Sequence, residues 1–412
     1  MASSSKSVRA LSILAVFIMA AMSVAIYAEL ATAAKNENDY LNISALKSDK
    51  AHRALLLDIT ITGKRLVAVG ERGTIVYSDD NGTSWNQADV PVYSTLTSVD
   101  FASESLGIVV GHDGVVLRTQ DAGKSWEKVF DGYRAMEQIL VKNRQLVAEA
   151  EQNIREFNAS KSADGKVPNK SLNEHVEESG EEIEKLEDQL ADAQYNLEII
   201  ETDIQHGPAW PFLDVFFANA QEGWAVGAYG MVFRTNDSGL TWNSWGDRLP
   251  NQEGAHLNSV SVTAMGMLFI VGEAAFVARS NDGDSWERME TPYYGSYYDV
   301  LTGTDSETQQ DWVVIAGFKG NLYRSTDSGA NWDKLEVDSE KSLLAVDKGD
   351  DGSIAVVGAS GIVRFGSNIE SNLMPIDSGS RASLSGVVVG PDDKLFVVGF
   401  GGVRRLSLEQ IK

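Results

Sequence analysis

The stretch YSDDNGTSW, residues 77–85, decides the fold because the chain writes it again. Read as Ser78-x-Asp80-x-Gly82-x-x-Trp85, it returns as Thr119-x-Asp121-x-Gly123-x-x-Trp126, Thr235-x-Asp237-x-Gly239-x-x-Trp242 and Ser325-x-Asp327-x-Gly329-x-x-Trp332. A shortened copy, SNDGDSW at 280–286, keeps Ser280, Asp282 and Trp286. The residue types suit a tight turn. A Ser or Thr hydroxyl and an Asp carboxylate accept backbone N–H groups within such a turn. Glycine supplies a φ > 0 position at no steric cost. The tryptophan then returns into a sheet, where it buries roughly 150–250 Å².

Upstream of each copy an apolar strand ends in glycine, turns, and begins a second strand, as in VAVGERGTIVYS (67–78) and VVGHDGVVLRT (109–119). The first glycines are Gly70, Gly111, Gly227, Gly272, Gly317, Gly358 and Gly399, spaced by 41, 116, 45, 45, 41 and 41 residues. Seven repeats of this length, rich in alternating apolar residues, predict an all-β chain folded as a seven-bladed β-propeller. A solenoid fits less well, because no polar capping repeat stands at either end. The quoted turn is then an Asp box (BNR repeat), structural in role, joining the third and fourth strands of a blade. Five of the nine tryptophans sit in these boxes and are expected to build the fold. Blades six and seven lack the box. The segment DYLNISAL (39–46) reads as a strand, expected to become the fourth strand of blade seven and so remove an open sheet edge.

The one long gap changes character. Met136, Leu140, Asn143, Val147, Ala150, Ile154 and Phe157 step by 4 and 3, and so do Ile183, Leu186, Leu190, Ala193, Leu197, Ile200 and Ile204. Both runs are coiled-coil seams, predicting an antiparallel helical hairpin around a loop at 160–170. A first helix of about 25 residues would reach roughly 37 Å. Asn143, alone among apolar seam positions, is expected to fix register. Because the seams pair with each other, replacing 133–206 by a short linker is expected to leave a folded disc. The layout is therefore a leader at 1–33, blades one and two with the closing strand at 39–131, the hairpin at 132–206 and blades three to seven at 207–412.

Composition narrows the function. A formal charge of −24, from 59 acidic against 35 basic residues, excludes nucleic acid as the expected partner. There is no cysteine, hence no disulfide or thiolate chemistry. Lys6 and Arg9 precede an uncharged run of 19 residues at 10–28 and the A-x-A pattern Ala31-Thr32-Ala33. That is the layout of a secretory signal, long enough also to serve as a retained membrane anchor. Either way the rest of the chain crosses the membrane. His52, His112, His175, His206 and His256 show no metal-ligand spacing, and each box offers too few carboxylates for a calcium shell. No metal or cofactor is expected. An Asp-box propeller also suggests a sialidase-like, glycan-active site, with the tyrosines of PYYGSYYD (292–299) as a sugar surface. The regular repeats leave little chain for catalytic loops, and no catalytic residues are assigned.

Arg118, Arg234, Arg279 and Arg324 stand immediately before the Ser or Thr of their boxes, and Arg364 and Arg404 lie one or two positions from the equivalent place. Ring symmetry would gather such a position around one axis. Two readings are open: each arginine pairs with an acid on the neighbouring blade, or together they form a basic patch for a carboxylate or an acidic partner segment.

The composite G-x-x-G-x-[VIL]-x-R-[ST]-x-D-x-G-x-x-W, in seven copies behind a secretory leader, resembles the photosystem II stability/assembly factor family of plants and cyanobacteria. The resemblance covers about 40–130 and 207–412. It implies a non-catalytic propeller that binds a membrane protein during assembly, with Arg118, Arg234, Arg279 and Arg324 in an arginine patch and Arg364 and Arg404 as weaker matches. Tyr77, the missing boxes of blades six and seven, and the inserted hairpin depart from the pattern. The alternatives are an accessory subunit of an RND-type exporter and a glycan-active propeller.

Overall fold

Each of the seven repeat glycines ends the second strand of an antiparallel sheet, and sterics explain why. A Cβ on Gly70 would lie 2.1 Å from the Leu55 carbonyl, and one on Gly111 2.3 Å from that of Thr95. Their backbone is extended, so close approach of the preceding strand, not an unusual φ, requires the glycine. The computed structural model describes residues 40–163, 172–305 and 308–408, and the expected leader lies outside them.

Blade one comprises Leu56–Thr62, Arg65–Gly70, Ile75–Ser78 and Asn86–Gln87. Blade two follows at Leu96–Phe101, Gly107–Gly111, Val116–Thr119 and Glu127–Phe130, and blade three at Phe212–Phe217, Gly223–Gly227, Val232–Thr235 and Asn243–Ser244. Blades four, five and six begin with Leu257–Val262, Tyr297–Thr304 and Leu343–Lys348, and blade seven with Leu384–Gly390. First strands lie side by side all round, with that of blade seven beside that of blade one. Second strands are sandwiched between blades, so Gly107–Gly111 and Leu268–Gly272 are buried at every position. Their continuous apolar runs follow from that. The core consists of wedges between adjacent blades rather than one central mass.

Ring closure differs from expectation. Blade seven has three strands among the described residues, Leu384–Gly390, Lys394–Gly399 and Arg404–Ser407. Residues 40–46, the described part of the expected closing strand, do not supply a fourth. Leu41 is 1% exposed, packed with Val69, Val92 and Leu96 between blades one and two. The Ala45 N–H donates to the Val90 carbonyl at 3.0 Å, and that of Tyr93 to the Tyr40 carbonyl at 2.8 Å. This apolar seat outcompetes strand exchange. The ring closes instead by side chains: Phe396 and Val398 pack on Leu56, Ile59 and Leu66, and the Ser385 hydroxyl donates to the Leu56 carbonyl at 2.8 Å.

Between blades two and three stand α1 (Gly132–Ala163) and α2 (Leu172–Asp203), each of 32 residues. At 1.5 Å per residue each reaches about 48 Å, longer than expected. The hairpin is not independent of the disc. Ala135, Met136, Leu140 and Ile200 share one apolar cluster with Phe130, Phe212, Phe233 and Trp242. Gln138 acts as a strand would: its amide donates to the Trp242 carbonyl and accepts from the Ser244 N–H, both at 2.9 Å. Removing 133–206 would therefore expose blade three. Asn143 does not reach across to α2. Its amide donates to the Ile139 carbonyl of its own helix at 2.9 Å, so apolar packing at the root sets the register.

Candidate partner-binding site

The Asp boxes fold as their residue types dictate. In blade one the Ser78 hydroxyl accepts from the Gly82 N–H at 2.9 Å and donates to the Asp80 carboxylate at 2.8 Å, which accepts from the Ser84 N–H at 2.8 Å. The same bonds recur around Thr119 and Asp121, Thr235 and Asp237, and Ser325 and Asp327. Gly82, Gly123, Gly239, Gly283 and Gly329 all have positive φ, between 73° and 85°. In the four full boxes the preceding residue is left-handed too: Asn81, Ala122, Ser238 and Ser328. The bond from the Ser84 hydroxyl leads the donors that hold Asp80 down to about 2. Every carboxylate lone pair turned inward is used by the turn itself.

Those left-handed residues explain the arginines. Their carbonyls point at the preceding blade, and an arginine there meets them. The Arg118 Nε donates to the Ser238 carbonyl at 2.9 Å, and the Arg279 Nη1 to that of Ser328 at 2.5 Å. Arg324 meets Glu370 of blade six, which has no box, and also Asp333 of its own blade at 3.6 Å. Arg234 turns to Glu222 at 2.5 Å and lies 4.9 Å and 5.3 Å from the ring centres of Trp224 and Trp245. Side-chain exposures are 7% for Arg118, 16% for Arg234, 24% for Arg279 and 14% for Arg324. All four lie on third strands, two strands out from the axis, so the ring spreads them around a circle. No hydrogen bond joins any two of them among the described residues.

Register corrects two members. Arg364 pairs with Val356 and Arg404 with Val397, one step from where Arg324 pairs with Val314. They face the other way, donating to the linker before their own blades: Arg364 to the Val337 carbonyl at 2.8 Å, Arg404 to that of Ser378 at 3.0 Å. Two residues that sequence reading missed do take the repeat role. Arg405, register-equivalent to Arg324, donates to the Asn81 carbonyl at 3.2 Å and so clasps blade seven to blade one. In blade one Tyr77 holds the arginine position, and Arg65 stacks over it at 4.5 Å and donates to the Ala122 carbonyl at 2.8 Å.

A second set went unread. Asp58, Asp100, Asp214, Asp299 and Asp347 sit on first strands, and each accepts a backbone N–H from the next blade: Val99, Phe217, Val260, Val346 and Val389, at 2.7–2.9 Å. They are half-buried at the axis. Burial, helped by the Asp214 and Asp299 carboxylates, pushes Asp58 up to about 8, and burial with Asp214 pushes Asp299 up to about 7. The signal was present as one aspartate inside five of the seven apolar first strands, in LLDIT, SVDFA, FLDVF, YYDVL and AVDKG.

The tyrosines of the expected sugar surface divide: Tyr294 stands exposed, while Tyr297 is packing. Tyr297 is fully buried, its hydroxyl donates to the Tyr293 carbonyl at 3.3 Å, and its ring lies edge-on to Tyr293 and Tyr323. Among the described residues no group of three His, Cys, Asp or Glu could hold a metal ion, and no helix is long and apolar enough to cross a membrane. A groove of about 770 Å³ runs between the hairpin root and blade three, past Tyr195, Ile199, Trp210 and Tyr229.

Residues 38–136 and 191–409 match the family model described as Photosynthesis system II assembly factor YCF48. The chain belongs to that family. The matched residues include all seven blades and leave out 137–190, so most of the hairpin is an addition to the family fold. The photosystem II assembly lipoprotein Ycf48 of Parasynechococcus marenigrum is 29% identical over 206 residues, 48% of this chain and 59% of that protein. The chloroplastic photosystem II stability/assembly factor HCF136 of Cyanidioschyzon merolae is 32% identical over 103 residues, 23% of each. The match thus spans under two thirds of the relatives' length. A solved structure of YCF48 bound to D1 peptide superposes with a TM-score of 0.55 over 89% of this chain and all of that one, at 15% identity. The WD40 propeller of Doa1 gives 0.54 over 90% and 98%, at 12% identity. The likeness in structure is therefore one of propeller fold.

Proposed function

We propose that this chain is a non-catalytic assembly factor that holds a segment of a photosystem II protein on a rigid propeller while the complex is built. The observation that carries the reading is the family match across every blade, with no blade left outside it. The geometry agrees. Box turns spend their hydrogen bonds on their own rigidity, and Arg118, Arg279, Arg324 and the inner aspartates spend theirs on the neighbouring blade, which suits a preformed docking body. Preorganisation of that kind lowers the entropic cost of binding an extended segment. Arg279, the most open of the four box arginines, is the one this reading gives to a partner carboxylate, in exchange for its pair with the exposed Glu287. Arg118 and Arg324 act first as clasps, and Arg234 stays with Glu222 of its own blade.

The protein works on the exported side of the membrane in this reading, in a periplasmic or thylakoid-lumen-like space. The leader at 1–33 supports it, and the named cyanobacterial relatives are lipoproteins. The sequence contains no cysteine, so a lipid carried on a thiol has no attachment point within it, and the apolar run at 10–28 is the anchor this reading uses. Fluorescence anisotropy with labelled peptides tiling D1 tests the proposal. Saturable binding of at least one tile, displaced by its unlabelled form, is expected. No binding by any tile refutes it.

A further inference from the structure

Three large apolar side chains that stand exposed meet at one place, the groove of about 770 Å³ between the hairpin root and blade three. Tyr195 (66% exposed) and Ile199 (36%) lie one turn apart on α2, and Tyr229 (54%) joins them from the blade. Apolar residues scattered singly over a surface need no explanation, whereas a contiguous patch marks an interaction site. One wall is helical, built from Lys142 and Leu146 of α1 and from Asp192, Tyr195 and Ile199 of α2. The other is blade three at the end away from its Asp box, since Tyr229 precedes the third strand and the box follows it. The family match leaves out 137–190, so the α1 wall belongs to this chain's own addition.

Tyr229 is an unusual residue for its turn. Its backbone is left-handed, with φ 55°, and the same turn position holds Arg72, Asp113, Lys319 and Ser360 in blades one, two, five and six, at φ 56–60°. Among the described residues blade three alone places a bulky aromatic side chain there, where such side chains are disfavoured, and leaves it half in solvent. Its ring centre lies 4.9 Å from that of Trp210 and 4.8 Å from that of His256, which hold it at the groove. The charges lean one way. Lys142 is the one cation of the described lining, and Asp247 takes it at 2.9 Å. Glu253 has the Arg288 guanidinium within electrostatic reach, and Asp192 forms no salt bridge among the described residues. Asp188 and Glu184 follow Asp192 at four-residue steps towards the hairpin tip, on the same face and equally exposed. The whole of α2 carries nine glutamates and three aspartates against one lysine.

We propose that this groove takes a cationic amphipathic helix of a second protein, anchored by a large apolar side chain against Tyr229 and Trp210, with lysine or arginine along the flank that meets Asp192, Asp188 and Glu184. Strand addition is closed off, because Gln138 already occupies the main chain of the outer strand Asn243–Ser244. An occupant must therefore enter by its side chains. Tyr195 and Ile199 form an i, i+4 ridge of the kind that another helix packs against, and an apolar groove flanked by charge selects an amphipathic helix of opposite sign. This is a second docking surface, at the other end of blade three from the box arginine Arg234, and it stands apart from the photosystem II reading.

Two synthetic helices of about 16 residues, ~24 Å long, test it on the full chain. Both carry leucines and one tryptophan on the apolar face; the polar face is lysine in one and glutamate in the other. Anisotropy should show the lysine helix binding saturably, one per chain, at least tenfold tighter than the glutamate helix. Asp192→Lys with Tyr195→Ala should weaken it at least tenfold without changing the melt. Glu340→Lys, an equal charge change at an exposed site before blade six, should leave binding within about twofold. With benzoylphenylalanine in place of its tryptophan, the lysine helix should crosslink to Tyr229 or Ile199. No binding, an equal loss in the Glu340→Lys variant, or crosslinks elsewhere would overturn the proposal. So would dimerisation of the parent chain that Tyr195→Ala abolishes, which makes a second copy the occupant. Radical footprinting that finds Tyr195 and Tyr229 already shielded in the free monomer would overturn it too, since the chain then fills its own groove. A D1 tile that binds the parent chain but not the double variant would make the groove the D1 seat and remove the second surface. Failure of every D1 tile sinks the function proposed above and leaves this inference standing.

Discussion

Asp58→Asn should reverse its effect on stability between acid and alkaline pH. Asp58 lies at the axis with its carboxyl pushed up to about 8 from 3.8, by burial first and by Asp214 and Asp299 as well. A raised folded pKa means that the folded state holds a proton the unfolded chain has released. Its contribution is therefore fully present below about pH 4 and is lost as pH rises through 8. Four units at 1.36 kcal/mol set an upper bound of about 6 kcal/mol on that loss. Asparagine cannot ionise, so the variant escapes it. It keeps one oxygen where the carboxylate accepts two N–H groups, from Ile59 at 2.7 Å and Val99 at 2.8 Å, and the missing bond costs about 1 kcal/mol. Urea melts at pH 3.5 should then show the variant about 1 kcal/mol less stable, and at pH 8.5 about 2–4 kcal/mol more stable, allowing for the share retained by Asp214 and Asp299. The difference between variant and parent cancels the general repulsion of a −24 chain. Parallel curves for the two proteins across that range would refute the account.

Trp242→Ala should cost about 3–5 kcal/mol, since the side chain is 2% exposed and packs against Phe217 and the hairpin root; equilibrium denaturation checks it. Replacing 147–193 by a Gly/Ser linker should leave a single cooperative melt, because the root contacts of Met136, Leu140 and Ile200 remain, whereas replacing 133–206 should lower stability measurably. Arg118→Ala should cost on the order of 1.5–3 kcal/mol through its bond to Ser238, and an unchanged melting temperature would show that the clasp holds nothing.

The blades were legible in the sequence because their constraints are local. A strand whose glycine must admit a neighbouring carbonyl writes itself into seven similar lines, and a turn that needs Ser or Thr, Asp and Gly at near-fixed offsets into five of them. What crosses between blades was harder to read. Arg65 and Arg405 fill one structural role from two different offsets, so a linear alignment at the box boundary misses the first and selects Arg404 in place of the second. Position relative to the pairing register carries the role, and register is not visible until the strands pair. The N-terminal segment failed for a similar reason. DYLNISAL reads as a strand by pattern, but Leu41 finds more burial between blades one and two than an edge strand would give it.

The two sets of aspartates divide the labour of holding a strand-free closure. Box carboxylates such as Asp80 are held down to about 2, so their contribution is present above pH 4 and is lost only as the pH falls towards 2. Axial carboxylates such as Asp58 and Asp299 are pushed up, to about 8 and about 7, and lose theirs progressively as the pH rises from about 4 to those values. Taken together the two contributions are largest near pH 4, where the two windows meet. Blade seven contributes no axial aspartate of its own. It joins blade one through Ser385, Arg405 and a wedge of apolar side chains, without a shared sheet, and Asp347 ties it to blade six through Val389. Raising the pH should therefore loosen the disc first at the axial aspartate bonds, where Asp347 ties blade six to Val389 and Asp58 ties blade one to Val99. Hydrogen exchange that accelerates with pH beyond its intrinsic rate at Val389 and Val99, but not at the box amides of Gly239 and Gly329, would show that order of opening, and uniform acceleration would disprove it.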